Sequence, residues 1–251
     1  MIYFYLEEVF EMKKLFIMLA LVAFFVATGS IAQASSILVY DHNTRTQQTL
    51  NALNNLGLSY TRAYSSDFNS LLQGSAWDLV VVDCPSSHPT SWDPLISYIN
   101  SGGTVIMSFW NLDIYPVLAD TFNVNVTSDF FSPQTVYRWD STHPIFNGVS
   151  DLTSWTDSWA DDGDNLSITA MSGAYALAGF TTTQQSNSAA IVLGNNGRTL
   201  YNGFLFDEFN NGTLLIQNEI SYMLQPVPEP STVMLLGAGL AGLAFWRRKR
   251  S

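Results

Sequence analysis

The stretch Trp77-Asp-Leu-Val-Val-Val82, followed by Asp83 and Cys84, decides how this chain folds. A short run of β-branched residues with no polar alternation reads as a strand buried on both faces, the signature of a parallel sheet covered by helices. The pattern recurs downstream in Thr104-Val-Ile-Met-Ser-Phe109 and upstream in Ser36-Ile-Leu-Val-Tyr40, which ends at Asp41. Residues 58–63 form a further expected strand. Between these runs lie helical patterns. Residues 46–56 carry Leu50, Leu53 and Leu56 at helical spacing, with Gly57 placed to end the helix. Residues 68–72 form a short helix, and residues 92–100 place Leu95, Ile96 and Ile99 on one face before Gly102-Gly103. Strand and helix alternating at this spacing imply right-handed crossovers. The expected fold class is α/β, three-layered, with a mostly parallel sheet and helices on both faces.

The second half changes character. Residues 143–148 are a turn-rich connection. Strands are expected at 167–171, 174–181, 189–193 and 198–204, separated by polar turns such as Asn195-Asn196-Gly197. Residues 214–224 close the domain as a helix with Leu215, Ile216, Ile220 and Met223 apolar.

Both ends read as targeting segments. Lys13 and Lys14 precede an apolar run at 15–26, and Ala32-Gln33-Ala34 supplies an A-x-A site, so residues 1–34 read as a signal peptide cleaved after Ala34. A signal anchor is the rival reading. Glu7, Glu8 and Glu11 sit where positive charge is expected, so Met12 is the expected start and residues 1–11 an extension. At the other end, Pro228-Glu229-Pro230 keeps the chain extended. An apolar run at 233–246 forms a short expected transmembrane helix, and Arg247, Arg248, Lys249 and Arg250 hold its end on the cytoplasmic side. Within that run Gly237-x-Gly239-x-x-Gly242 has the letters of a dinucleotide fingerprint without the preceding strand, so it reads as small-residue helix packing. The three parts in this order resemble the PEP-CTERM sorting signal. The resemblance implies recognition and cleavage near Pro-Glu-Pro by an exosortase. A plain C-terminal anchor is the competing reading. The domain lies between, at 35–226, with the sorting segment at 227–251.

Removing Glu7, Glu8, Glu11 and Glu229 from the 21 acidic residues leaves 17 in the domain, against Arg45, Arg62, Arg138 and Arg198, a net charge near −13. Such a surface repels nucleic acid and anionic lipid. The lone Cys84 excludes an intrachain disulfide and any cysteine-based zinc site.

The domain itself resembles the class I glutamine amidotransferase-like superfamily in its non-glutaminase branches, within the wider flavodoxin-like architecture. The matching residues are 36–41, 77–83, Gly102-Gly-Thr-Val-Ile106, His143-Pro-Ile-Phe-Asn-Gly-Val149 and Gly197-Arg-Thr-Leu-Tyr-Asn-Gly203 with the last helix. Catalytic relatives carry a nucleophilic cysteine in a glycine-flanked elbow after a core strand. Here that strand ends Met107-Ser108-Phe109-Trp110-Asn111, with no cysteine, no flanking glycine and no following His-x-Glu pair. The resemblance therefore implies the fold without the glutaminase chemistry.

In a doubly wound sheet the carboxyl ends of the strands share one crevice. Asp41, His42, Asp83, Cys84, His88, Trp110 and Asn111 are expected near it, with Asp41, Trp110 and Asn111 as binding candidates. Cys84 with His42 or His88 is the arrangement a thiolate nucleophile would need, against the plainer reading of a buried strand-end cysteine and polar loop histidines. Asp161, Asp162 and Asp164 around Gly163 could offer oxygens to calcium, against the reading of an acidic solvated turn. Trp139, Trp155, Trp159 and Phe130-Phe131 could form a carbohydrate platform or fill a core. No cofactor is expected. The first expectation is a non-enzymatic structural or ligand-binding domain, exported through the Sec translocon with signal peptidase and tethered in the inner membrane. An exosortase would then sort it to the surface or exopolysaccharide-rich matrix, the biofilm, of a bacterium with a Gram-negative-type envelope. An extracytoplasmic hydrolase and a carbohydrate-binding module are the alternatives.

Overall fold

The computed structural model describes residues 35–41, 46–130, 134–153, 165–209 and 212–225. The expected signal peptide, the 227–251 sorting segment with its expected transmembrane helix, His42, Asp161, Asp162, Asp164, Trp155, Trp159 and Phe131 lie outside these residues. Among the described residues, no helix is long and apolar enough to cross a membrane.

The parallel half is built from β1 (Ile37–Asp41), α1 (Gln48–Asn55), β2 (Thr61–Ala63), α2 (Phe68–Gly74), β3 (Leu79–Cys84), α3 (Asp93–Asn100) and β4 (Val105–Phe109). These match the elements expected from the apolar runs, except that the second strand spans only its last three residues. Gly57 sits at φ +66°, the left-handed geometry that ends a helix and that glycine adopts without strain.

Beyond β4 come α4 (Pro116–Thr121), β5 (Val124–Phe130) and β6 (Tyr137–Arg138), followed by β7 (Asn165–Ala170), β8 (Tyr175–Gly179), β9 (Ala189–Gly194), β10 (Thr199–Asn202) and α5 (Gly212–Met223). Among the described residues the strands form one ten-stranded sheet in the order β2-β1-β3-β4-β10-β9-β7-β5, with β8 pairing β9 and β6. Pairings from β2 through β10 are parallel; those beyond β10 are antiparallel. The strands expected in the second half thus extend a parallel sheet with an antiparallel wing.

Two cores cover the two faces. Successive side chains of a strand point oppositely, so Ile37, Val39, Leu79, Val81, Ile106 and Leu200 pack under α1 and α5. Leu38, Tyr40, Val80, Val82, Met107 and Tyr201 pack under α2, α3 and α4. Each fully buried aliphatic side chain contributes about 1.5–3 kcal/mol. That double burial is why the strands read as unbroken apolar runs.

Candidate functional site

The strand register sets a polar row across the carboxyl end of the sheet. Asp41 lies beside Asp83, Asp83 beside Ser108, and Ser108 beside Asn202. Two residues earlier, the same face carries Val39, Val81, Ile106 and Leu200 in the core under α1 and α5. Each strand therefore ends its apolar column with one polar side chain, and all four are buried.

Every member of the row has a partner from a neighbouring element. Arg62 on β2 pairs with Asp41 at 3.1 Å, and its guanidinium also donates to the Asp41 carbonyl. The Thr49 hydroxyl on α1 donates to Asp83 Oδ2 at 2.7 Å. Ser108 Oγ donates to the Phe204 carbonyl at 2.7 Å, and Asn202 Nδ2 donates to Glu219 Oε2 on α5 at 3.2 Å. The turn after β10 is held by Gln48, whose amide donates to the carbonyls of Phe206 and Phe209 at 2.6 and 2.9 Å. Asp207 on that turn accepts the Thr46 backbone N–H at 3.0 Å and the Thr46 hydroxyl.

The electrostatics follow from burial. Desolvation pushes the Asp83 carboxyl well above the usual range; the charges of Asp207 and Asp41 add to this, and the Thr49 hydrogen bond opposes it. Desolvation also pushes Glu219 up to about 8, against the Asn202 bond. Asp83 Oδ1, Asn202 Oδ1 and Glu219 Oε1 are buried without a hydrogen-bond partner. Burial of this kind disfavours the charged form of a carboxyl. Among the described residues, no three histidine, cysteine or acidic side chains are arranged to hold a metal.

Cys84 and His88 lie on the opposite face. The Cys84 thiol donates to the Ser87 carbonyl at 3.2 Å, and the Tyr40 hydroxyl donates to the same oxygen. Desolvation pushes the thiol well above its usual value; the Asp83 charge adds, and a Tyr40 hydrogen bond opposes. His88 Nδ1 lies 2.8 Å from the Pro89 carbonyl, which can only accept, so Nδ1 carries the proton. Nε2 lies 3.3 Å from the Tyr115 hydroxyl, within hydrogen-bond reach. The imidazole packs among Trp92, Phe109 and Tyr115, with ring centroids 5.6–6.3 Å away. Cys84 and His88 thus share a neighbourhood but not a hydrogen bond. Trp110 is half-buried and donates to the Ser86 carbonyl at 2.6 Å, and Asn111 is half-buried after it. Trp139 donates to the Thr181 carbonyl at 2.7 Å.

On this face a cavity of about 300 Å³ opens between the start of α3 and the 112–118 segment. Trp92, Tyr115 and Val117 supply apolar lining, and Thr90, Ser91 and Asp93 the polar lining. Ile114 and Val117 at its edge are 59% and 64% exposed, unusual for aliphatic side chains beside a well-packed core.

Thr49, Asn202, Asp207, Glu219 and Tyr115 escaped the sequence reading. The one signal available was the repeated polar break at strand ends: Asp41, Asp83, Ser108 and Asn202 each follow an apolar run. Their alignment depends on β10 lying beside β4, which no local pattern reports.

Residues 226–249 match the family model of the PEP-CTERM protein-sorting motif. The motif marks an exported, membrane-anchored precursor processed by an exosortase. No curated protein matches the chain by sequence. A structure described as a GMP synthase subunit of Thermoplasma acidophilum is similar at TM-score 0.53 and 16% identity, over 76% of this chain and 94% of that one. A carbohydrate deacetylase, Agd3, gives 0.49 at 14%, over 76% of this chain and 32% of that one. A glutamine amidotransferase of Methylobacillus flagellatus gives 0.43 at 10%, over 70% and 71%. The described domain thus shares its mixed α/β fold with the GMP synthase subunit structure.

Proposed function

We propose that this chain carries a non-enzymatic, ligand-binding or structural α/β domain that an exosortase sorts to the cell surface or extracellular matrix, where it associates with exopolysaccharide. The observation that carries the reading is the sorting motif at 226–249, which begins three residues after α5 ends at Met223. Export would use the Sec translocon and signal peptidase. The β4 exit supports a non-enzymatic role: Ser108 is buried and bonded to Phe204, and Phe109 beside it is buried too.

The cavity at 90–93 and 114–118 is where a sugar would sit. A volume of about 300 Å³ is at the low end for small-ligand sites. The apolar face of a sugar ring would rest on Tyr115 and Val117, with its hydroxyls turned to Ser91, Thr90 and Asp93. Acidic Asp93 and the domain's charge near −13 favour neutral over anionic sugars. The hydrolase alternative gains nothing from Cys84, since a buried thiol with a raised pKa is a poor nucleophile.

Fractionation of the native host tests the location: recovery with surface or matrix polysaccharide is expected, and recovery only in the inner membrane overturns it. Titration with cellohexaose and with an oligogalacturonate tests the ligand. Binding of the neutral oligomer, weakened at least about tenfold by Tyr115→Ala, is expected. Indifference to that substitution refutes the cavity as the sugar site.

A further inference from the structure

The Asn202–Glu219 contact cannot be satisfied by a carboxylate. Both side chains are fully buried, and only one hydrogen bond joins them, from Asn202 Nδ2 to Glu219 Oε2. The remaining atoms, Asn202 Oδ1 and Glu219 Oε1, are both buried oxygens with no donor. If Glu219 is ionised, both are acceptors and neither can serve the other. A single proton on Oε1 changes this, because an acid O–H can donate to the amide oxygen while the amide N–H donates to the acid's other oxygen. Turning the Asn202 amide over does not remove the need, since its oxygen would then face Glu219 Oε2.

We propose that Glu219 is held as the neutral acid and closes a two-bond ring with the Asn202 amide, a proton-dependent latch that fixes α5, the helix leading into the sorting motif, to the sheet. Glu219 lies on α5 four residues before its end, and the motif begins at residue 226. The latch therefore governs how firmly the last helix of the domain stays docked next to the segment that is processed.

Few other groups can supply the proton's counterpart. α1 and β4, which pack on α5, carry no acidic or basic side chain. The 206–208 turn brings Asp207 and Glu208, and Asp207 accepts from Thr46. The ring of His143 beside the 144–146 turn packs tilted against Tyr222 of α5, centroids 4.7 Å apart, and burial lowers its own proton affinity. On β10, Tyr201 donates to the Phe109 carbonyl. Burial of Glu219, opposed by the Asn202 bond, accounts for its raised value near 8.

The sign of the pH dependence is fixed. With α5 undocked, Glu219 ionises near 4.5; docked, it ionises near 8. The latch is at full strength below 4.5, weakens as pH rises, and levels off above about 8. Hydrogen exchange on the full chain, corrected for intrinsic rates, reads this directly. The opening constant of α5 should rise about tenfold per pH unit across that window. Glu219→Gln keeps an amide that can close the same ring, so its α5 should lose this slope and be protected at least about a hundredfold better than wild type at pH 8. An identical slope in both proteins overturns the latch. Should the variant fail to fold, the carboxyl carbon shift of Glu219 in the wild-type chain decides alone: a midpoint near 8 is expected, and one near 4.5 refutes it.

Discussion

Gln48 and Gly212 should be energetically coupled although 164 residues separate them in sequence. Gln48 is buried at the start of α1, and its amide ties down the carbonyls of Phe206 and Phe209. Gly212 opens α5 against that amide: a Cβ there would lie 2.1 Å from Gln48 Oε1 and 2.8 Å from Cδ. Ordinary contact begins at 3.4 Å, so Oε1 would have to retreat by about 1.3 Å. The two bonds at 2.6 and 2.9 Å leave the amide no such slack. Gly212→Ala should therefore swing it out and break both. Each bond is worth about 1 kcal/mol, and up to about 2 kcal/mol where its carbonyl is left dry. Against this, alanine gains up to about 1 kcal/mol over glycine in a helix. The net cost is about 1–3 kcal/mol. Gln48→Ala should lose the same bonds, about 2–4 kcal/mol. In the double variant the added methyl group meets no amide, so its loss should fall short of the sum of the two single losses by about 2–4 kcal/mol. Urea unfolding of the four proteins measures this coupling. Additivity within about 0.5 kcal/mol, the behaviour of independent sites, would show that the glycine is not there to admit Gln48.

Three further outcomes follow from the same geometry. Cys84 should resist alkylation by iodoacetamide at pH 8 in the native state and react after denaturation, since it is buried and its thiol is pushed up; rapid native labelling would contradict the placement. Asp83→Asn should gain stability on wild type as pH rises above 3.8, because the folded carboxyl resists ionisation there while the unfolded one does not. The difference should be constant below that pH, and a flat difference throughout, measured by denaturation at several pH values, would refute the raised value. Gly179→Ala would place a Cβ 1.8 Å from the Trp139 indole, which also donates to Thr181. A loss of about 1–3 kcal/mol with altered tryptophan emission is expected, and unchanged emission would argue against the contact.

The parallel half was legible because burial on both faces leaves little room for polar residues: β1, β3 and β4 are buried along their whole length. The antiparallel wing was harder. β5 has the sequence Val-Asn-Val-Thr-Ser-Asp-Phe, carries a register shift between Val126 and Ser128, and lies at a sheet edge, so its apolar signal is weak. α4 is only six residues long and opens on Pro116. The polar row illustrates a different limit. Asp41 and Asp83 stood out as strand-end residues, but Asn202 joins them only because β10 inserts beside β4, 90 residues or more away in sequence. The spacing of Cys84 and His88 suggested a pair; the ring of His88 instead faces Pro89 and Tyr115, which spacing does not encode.

In the proposed function the 226–249 segment is a processing signal and not a permanent anchor. Intact mass spectrometry of the protein from its native host, with and without the exosortase, tests it most directly. Loss of the mass beyond the Pro228-Glu229-Pro230 region is expected only when the exosortase is present. The same intact tail in both backgrounds would contradict it.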